Sequence, residues 1–115
     1  MENHAWVKEF LGDITVCDPG GIILEMNDQA IQSFADEGGI SLLGSNVLEC
    51  HPEPARTKLK ELMDRKQTHT YTIEKNGVKK LIYQTPWYRD GQYAGFMEIS
   101  IVIPHSMPHF NRDRS

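Results

Sequence analysis

Two turn signals in the last third of the chain constrain its fold more than any other feature. Asn76-Gly77 lies between two strand-like runs, 69–75 and 78–88, and Asp90-Gly91 lies between the second run and a third, 93–103. Asn-Gly between two such runs is the strongest short-range signal for a β-hairpin, because both central residues of the favoured turn adopt positive φ. The sequence therefore predicts three consecutive antiparallel strands.

A second hairpin signal near the start of the chain is followed by helical patterns. The turn sequence Asp-Pro-Gly-Gly at 18–21 joins two short β-branched runs. Strands are predicted over 14–17 and 22–26, a helix over 28–35, a helical turn over 40–43, a loop over 44–52 and a second long helix over 53–66. The order β-β-α-α-α-β-β-β in about a hundred residues predicts one α+β domain, in which helices pack across one face of an antiparallel sheet.

The last strand alternates between two sets of side chains, which predicts the face that the helices cover. Glu98 and Ser100 belong to one set, Met97 and Ile99 to the other. Polar residues of a half-buried strand usually face solvent. We therefore expect Met97 and Ile99 to point at the helices.

The composition limits the classes of function. The 115 residues are 39% hydrophobic and carry a formal net charge of -4, which fits one globular domain with a single core. No basic face is evident, so nucleic-acid binding by this chain alone is not expected. No apolar run approaches the roughly 20 residues that cross a bilayer, and the N-terminus lacks the features of a signal peptide. We therefore expect a cytoplasmic domain without membrane contact.

Short turn motifs occur in an order that resembles a PAS domain over residues 12 to 103. The segment 18–23 resembles the opening D-x-x-G-x-I hairpin of that family, and 26–30 resembles its x-N-x-A approach to the first helix, with one more residue between Asn27 and Ala30. The segment 43–46 is similar to the G-x-N step before the long helix, and 86–95 to the P-x-x-D-G-x-x-x-G corner between the last two strands, with one more residue between Pro86 and Asp90. Each motif is a few residues of turn chemistry; their order and spacing carry the resemblance.

The resemblance implies a PAS fold, namely a five-stranded antiparallel sheet with helices across one face and a short N-terminal helix. Such domains hold a small molecule between the two layers and pass a signal to a partner protein or an attached output domain. The chain then divides into an N-terminal helix (1–11), the PAS domain (12–104) and a disordered tail (105–115). The pocket residues implied are Phe34, Asn46, Leu48, His51, Leu62, Tyr83, Met97 and Ile99, and the homodimer contact implied is Trp6, Val7, Phe10 and Leu11.

The flavin-binding motif of the family is incomplete in this chain. Flavin photosensors of this type carry G-x-N-C, in which the cysteine forms a covalent adduct with the flavin. Here the G-x-N at 44–46 is followed by Val47, and Cys50 comes three residues too late for that attack geometry. Met97 stands near the position of the glutamine that contacts the flavin. Covalent flavin chemistry is therefore not expected, while non-covalent flavin binding stays open.

Haem and zinc are not expected either. Haem-binding relatives carry the axial histidine within the long helix, and 53–66 contains none. His51 precedes that helix, and we favour a backbone-bonded position at the helix start over a ligand contact at the pocket mouth. No spacing of His and Cys predicts four converging zinc ligands. The sequence leaves the identity of any cofactor unknown.

The sequence favours a non-catalytic protein and leaves two functions open. No nucleophile-elbow or phosphate-loop motif is present. The preferred function is a sensor that binds a small molecule and acts in signal transduction or transcriptional regulation. The alternative is a ligand-free module for dimerisation or protein interaction, which the apolar stripe at 6–11 motivates. Pro104 after the last strand disfavours a continuous helix into an output domain.

Overall fold

Five strands form one antiparallel sheet in the computed structural model, which describes residues 5–113. The sheet order is β2-β1-β5-β4-β3, so the last strand, β5, lies at the centre of the sheet and pairs with the first strand, β1. This confirms the predicted α+β class and the five-stranded sheet. The strands are β1 (Asp13–Cys17), β2 (Ile23–Met26), β3 (His69–Lys75), β4 (Val78–Arg89) and β5 (Gln92–Ile103).

Both predicted C-terminal turns have the backbone that two-residue hairpins need. Asn76 and Gly77 have φ of 54° and 77°, and Asp90 and Gly91 have φ of 51° and 79°. Positive φ at both central residues matches the right-handed twist of the flanking strands. These turns place the long β4 between β3 and β5; it pairs with β5 along nearly its whole length and with β3 over its first half, from Val78 to Gln84.

The connection from β2 to β3 carries most of the helical layer. The α-helices are α1 (Ala5–Lys8), α2 (Asp28–Ser33) and α3 (Ala55–Arg65), and 3₁₀ turns span Ala35–Glu37, Gly39–Leu42 and Val47–Cys50. The first helix after β2 ends at Ser33, two residues before the predicted end, and is followed by the 3₁₀ turn Ala35–Glu37, which Gly38 ends with a positive φ. The predicted loop over 44–52 contains a 3₁₀ turn that Asn46 caps, since its Oδ1 accepts from the Leu48 amide at 2.9 Å.

The face of β5 that meets the helices is opposite to the predicted one. Phe96 lies opposite Cys17 and is only 2% exposed, packed with α3 residues Leu59 and Leu62. By alternation Glu98 and Ser100 share this inner face. Met97 and Ile99 therefore lie on the outer face, and the expectation that they point at the helices is wrong. Polar residues here face the inside of the domain, not solvent.

The side chain of Asn27 joins the helical layer to the sheet. Its Oδ1 accepts from the Ile14 amide of β1 at 2.9 Å and from the Ala30 amide of α2 at 3.1 Å. Its Nδ2 donates to the Gly12 carbonyl at 2.8 Å. Asn27 is 2% exposed, so these bonds are shielded from water. One amide thus caps α2 and fixes it against the start of β1.

The predicted division into an N-terminal helix (1–11), a PAS domain (12–104) and a disordered tail (105–115) stays a prediction. Residues 1–4 of the N-terminal segment and residues 114–115 of the tail lie outside the described residues. Within the described tail no helix or strand occurs from residue 104 to residue 113. His105 lies 3.6 Å from Glu74 of β3, so the start of this segment runs beside the sheet.

We predict that Asn27→Ala lowers the free energy of unfolding by about 2 to 4 kcal/mol, since it removes a helix cap and leaves buried amide and carbonyl groups without partners. Urea unfolding followed by circular dichroism measures this. Asn111→Ala is the matched control, because Asn111 is exposed and its side chain bonds only the nearby Asp113 amide. Equal stabilities for the two variants would contradict the role of Asn27.

Candidate functional site

A cavity of about 240 Å³ lies between the inner face of the sheet and the helical layer. It separates two clusters of buried apolar side chains. One cluster centres on Phe96 and α3, the other on Ile23, Met26 and Ala30, and Val47 packs against both. The cavity is lined by Thr15, Cys17, Ile23, Met26, Phe34, Glu37, Leu42, Val47, Cys50, His51, Leu59, Met63, Gln84, Phe96, Met97 and Glu98.

A row of polar side chains crosses the sheet on the floor of this cavity. Glu98 of β5 pairs with Thr15 of β1 on one side and with Gln84 of β4 on the other. Gln84 Nε2 donates to Glu98 Oε1 at 2.8 Å. Gln84 is buried and the other two are half-buried. The row therefore places hydrogen-bonding groups against an otherwise largely apolar wall.

The row continues at its outer end into β3. His69 pairs with Gln84 across the strands, and its ring lies 4.8 Å from that of Tyr71. His69 Nδ1 is buried without a hydrogen-bond partner among the described residues. Burial raises the pKa of the Tyr71 phenol, and the negative charge of Glu98 adds to that rise. Tyr71 therefore stays a neutral hydroxyl near the Glu98 carboxylate.

The 3₁₀ turn Val47–Cys50 and the residue after it form one side of the cavity opening. Cys50 and Glu37 line the cavity and are also exposed. His51 is half-buried, and its Nδ1 lies 2.8 Å from the Val47 carbonyl. A carbonyl only accepts, so Nδ1 carries the proton in this bond. The backbone bond agrees with the expected position of His51 at the start of the long helix, and the ring also lines the cavity.

The structure brings some of the predicted pocket residues together and separates others. Phe34 and His51 line the cavity, and Met97 borders it from β5, although alternation places the Met97 side chain on the outer face of the sheet. Asn46, Leu48 and Leu62 lie behind its wall, where Asn46 caps the 3₁₀ turn and the two leucines belong to the Phe96 cluster. Tyr83 and Ile99 pair with each other on the outer face of the sheet, away from the cavity.

The sequence reasoning missed the polar residues of the cavity floor. Thr15, Gln84 and Glu98 were not among the predicted pocket residues. A one-residue bulge at Trp87/Tyr88 shifts the pairing of β4 and β5, so the turn at Asp90 does not by itself give the pairing of Gln84 with Glu98. The available signal was Glu98, a charged residue within the mostly apolar run 94–103.

Two further features are absent from the described residues. Within residues 5–113, no group of three or more His, Cys, Asp or Glu side chains is arranged to hold a metal ion. In the same part of the chain, no helix is long and apolar enough to cross a membrane.

Comparison with solved structures identifies the fold. The chain superimposes on the PAS domain of BvgS from Bordetella pertussis with a TM-score of 0.64 and 19% identity, over 89% of this chain and 84% of that one. It superimposes on the Aer2 receptor from Vibrio cholerae, described as a dual PAS-heme oxygen sensor, with a TM-score of 0.63 and 17% identity, over 81% and 95%. It also superimposes on the PAS domain of an HTR-like protein from Haloarcula marismortui with a TM-score of 0.60 and 17% identity, over 87% of this chain and 88% of that one.

These similarities show that the chain has the PAS fold, which confirms the resemblance inferred from its turn motifs. No protein-family model and no curated protein sequence matches the chain. At identities below 20%, the structural matches concern the fold.

We predict that the two cysteines differ strongly in reactivity. Burial raises the pKa of the Cys17 thiol, while Cys50 is exposed at the cavity opening. The thiolate is the reactive form, so Cys17 should react far more slowly. With an aromatic disulfide reagent at neutral pH, we expect one thiol to react quickly and the second only after denaturation. Cys50→Ser should abolish the fast phase, and a fast phase that persists in this variant would contradict the assignment.

Proposed function

We propose that this chain is a sensory PAS domain of a signalling protein and that it binds a small molecule in the cavity between sheet and helices. The observation that carries the proposal is the cavity itself, which has a mostly apolar wall and a few converging polar groups. Binding sites for small molecules have this character. The similar folds of known sensory domains support the assignment to signalling.

The position of the cavity suggests how binding would be transmitted. Its floor belongs to the sheet, including β1, β4 and β5, and its roof includes the 3₁₀ turns and α3. A ligand held between the layers contacts both, so its binding favours one distance between them over others. The signal would then reach a partner protein or an output domain through the sheet. A role in transcriptional regulation and a cytoplasmic location remain predictions within this proposal.

The cavity does not fit haem. Haem needs an axial ligand, and His51 is the one histidine among the cavity-lining residues. The charged groups on the described wall are the carboxylates of Glu37 and Glu98, and no Lys or Arg lines it to pair with the haem propionates. At about 240 Å³ the cavity is also below the roughly 300–1,000 Å³ of common ligand pockets. We therefore propose a ligand smaller than haem. The non-catalytic role expected from the sequence stays part of the proposal.

We predict that filling the cavity abolishes ligand binding. Leu42 lines the cavity from a 3₁₀ turn, so Leu42→Trp places an indole in the space the ligand would use. Native mass spectrometry of protein purified without added ligand should show extra mass on the original chain and none on this variant. Leu24→Trp is the matched control, because Leu24 is 52% exposed on β2 and does not line the cavity.

A second measurement decides the case in which the purified chain carries no extra mass. A library of small apolar fragments is then screened for a rise in melting temperature, since a ligand that binds only the folded state stabilises it. The same fragments are added to Leu42→Trp. If no fragment raises the melting temperature of the original chain by more than it raises that of Leu42→Trp, the ligand-binding proposal is wrong.

A dimerisation module is the second candidate, and the N-terminal segment favours it. Trp6 and Leu11 are 72% and 87% exposed, although both are large and apolar. Phe10 lies close to Gly12 and to Ile101 of β5, so this segment runs beside the outer face of the sheet. Exposed apolar side chains next to an apolar sheet face are typical of protein contacts.

We predict that Leu11→Glu converts a dimer into a folded monomer, because a charge at the centre of an apolar contact is costly to bury. Light scattering coupled to size exclusion measures the mass, and circular dichroism checks the fold. Ile40→Glu is a suitable control, since Ile40 is equally apolar and 64% exposed but lies in the helical layer. A dimer that survives Leu11→Glu but not Ile40→Glu would place the contact elsewhere.

A further inference from the structure

We infer that the cavity takes a small organic amine, a cation with an apolar body, whose N–H groups meet the carboxylate of Glu98. This inference rests on the proposed function and names the class of ligand for the same cavity. It follows from the hydrogen-bonding atoms on the cavity wall, which are mainly acceptors.

Gln84 presents an acceptor to the cavity. Its Nε2 donates to Glu98 Oε1, and a carboxylate only accepts, so the orientation of the amide is fixed by this bond. The other end of the amide is therefore the carbonyl oxygen, Oε1. The Gln84 residue is only 8% exposed, and no hydrogen bond from a described residue reaches its Oε1. The one fully buried side-chain atom without a partner among the described residues is His69 Nδ1, so Gln84 Oε1 is an accessible acceptor that a ligand donor can reach.

Glu98 presents a second acceptor and a negative charge. One of its oxygens accepts from Gln84, while the other has no hydrogen-bond partner among the described residues. No Lys or Arg of the described wall neutralises it, and Glu37 adds a second carboxylate at the opening. A cation is therefore attracted to the cavity, and an anion is repelled.

His51 presents a third acceptor in its neutral form. Its Nδ1 donates to the Val47 carbonyl, which leaves Nε2 unprotonated on the neutral ring. The hydroxyl of Thr15 can donate or accept. The lining side chains thus offer acceptors at Gln84, Glu98 and His51, and an amine with two or three N–H groups is complementary to them.

The size of the cavity fixes the scale of the ligand. A dry apolar cavity of about 150 Å³ holds a benzene molecule. The present cavity, at about 240 Å³, accommodates such a ring with a short substituent. Phe34, Met26 and Phe96 supply apolar and aromatic surface for the ring, and the polar row receives the substituent.

Three probes of similar size and different charge test this inference: benzylamine, toluene and benzoate. Binding is followed by titration with amide NMR spectra, in which inner-strand amides at Gln84 and Glu98 report on the cavity. We expect benzylamine to bind at least about tenfold more tightly than the other two, since a hydrogen bond to a charged group is worth that much. In Glu98→Gln, the advantage of benzylamine over toluene should fall to within about twofold.

Glu61→Gln is the matched control, because Glu61 is exposed on α3 and does not line the cavity. It should keep the preference for benzylamine. Should Glu98→Gln fail to fold, the ranking of the three probes on the unmodified chain still decides the matter.

The outcomes separate the inference from the function on which it rests. If toluene or benzoate shifts the inner-strand amides at equal or lower concentration than benzylamine, the amine inference is overturned and the cavity remains a ligand site. If none of the three shifts these amides, the inference is overturned and the ligand-binding function loses its support for molecules of this size.

Discussion

The hydrogen bonds of Asn27 hold the two layers of this domain in register. Its amide bonds the end of the N-terminal segment, the first strand and the first helix after the hairpin, in a site that water does not reach. Because a buried amide that loses its partners is costly, these three segments cannot separate independently. The helix α2, which Asn27 caps, is followed by three 3₁₀ turns, and each turn supplies at least one residue to the cavity wall.

The β-bulge next to the β4–β5 turn determines which polar side chains meet on the cavity floor. It sets Gln84 opposite Glu98, where the amide can donate to the carboxylate. If the pairing of Tyr88 with Tyr93 continued along the same sequence without a bulge, Gln84 would lie opposite Met97, and Glu98 would face away from its donor. A single inserted residue therefore decides that the polar row forms on the inner face. Gly95, at the bulge, leaves room for Trp87 Nε1 to reach the Cys17 carbonyl at 2.9 Å.

Local chemistry in the sequence was enough to predict the fold, whereas the cavity needed information that is not local. Asn76-Gly77 and Asp90-Gly91 are residue pairs that favour positive φ, and both have it in the structure. The strands on either side of each turn could therefore be predicted from the turns. The inner face of β5 did not follow, because polar strand residues usually face solvent, whereas here Glu98 lines the cavity and Ser100 is buried on the same inner face. The inward orientation of Glu98 and Ser100 depends on the pairing of β5 with β1 and β4. It also depends on helices that are distant from β5 in the sequence. Residues such as Phe34 and His51 were found because they lie next to recognisable turns.

The two proposed functions use opposite faces of one strand, which makes them compatible. Glu98 of β5 faces the cavity, and its neighbours Met97 and Ile99 face outward, where Ile99 lies between Ile14 and Tyr83. If a ligand bound to Glu98 as proposed, it would act on the same backbone that carries Met97 and Ile99. Packed interfaces respond to small displacements by changing between discrete arrangements. A partner held on the outer face would therefore sense the ligand through the thickness of one strand, without a hinge or a separate signalling helix.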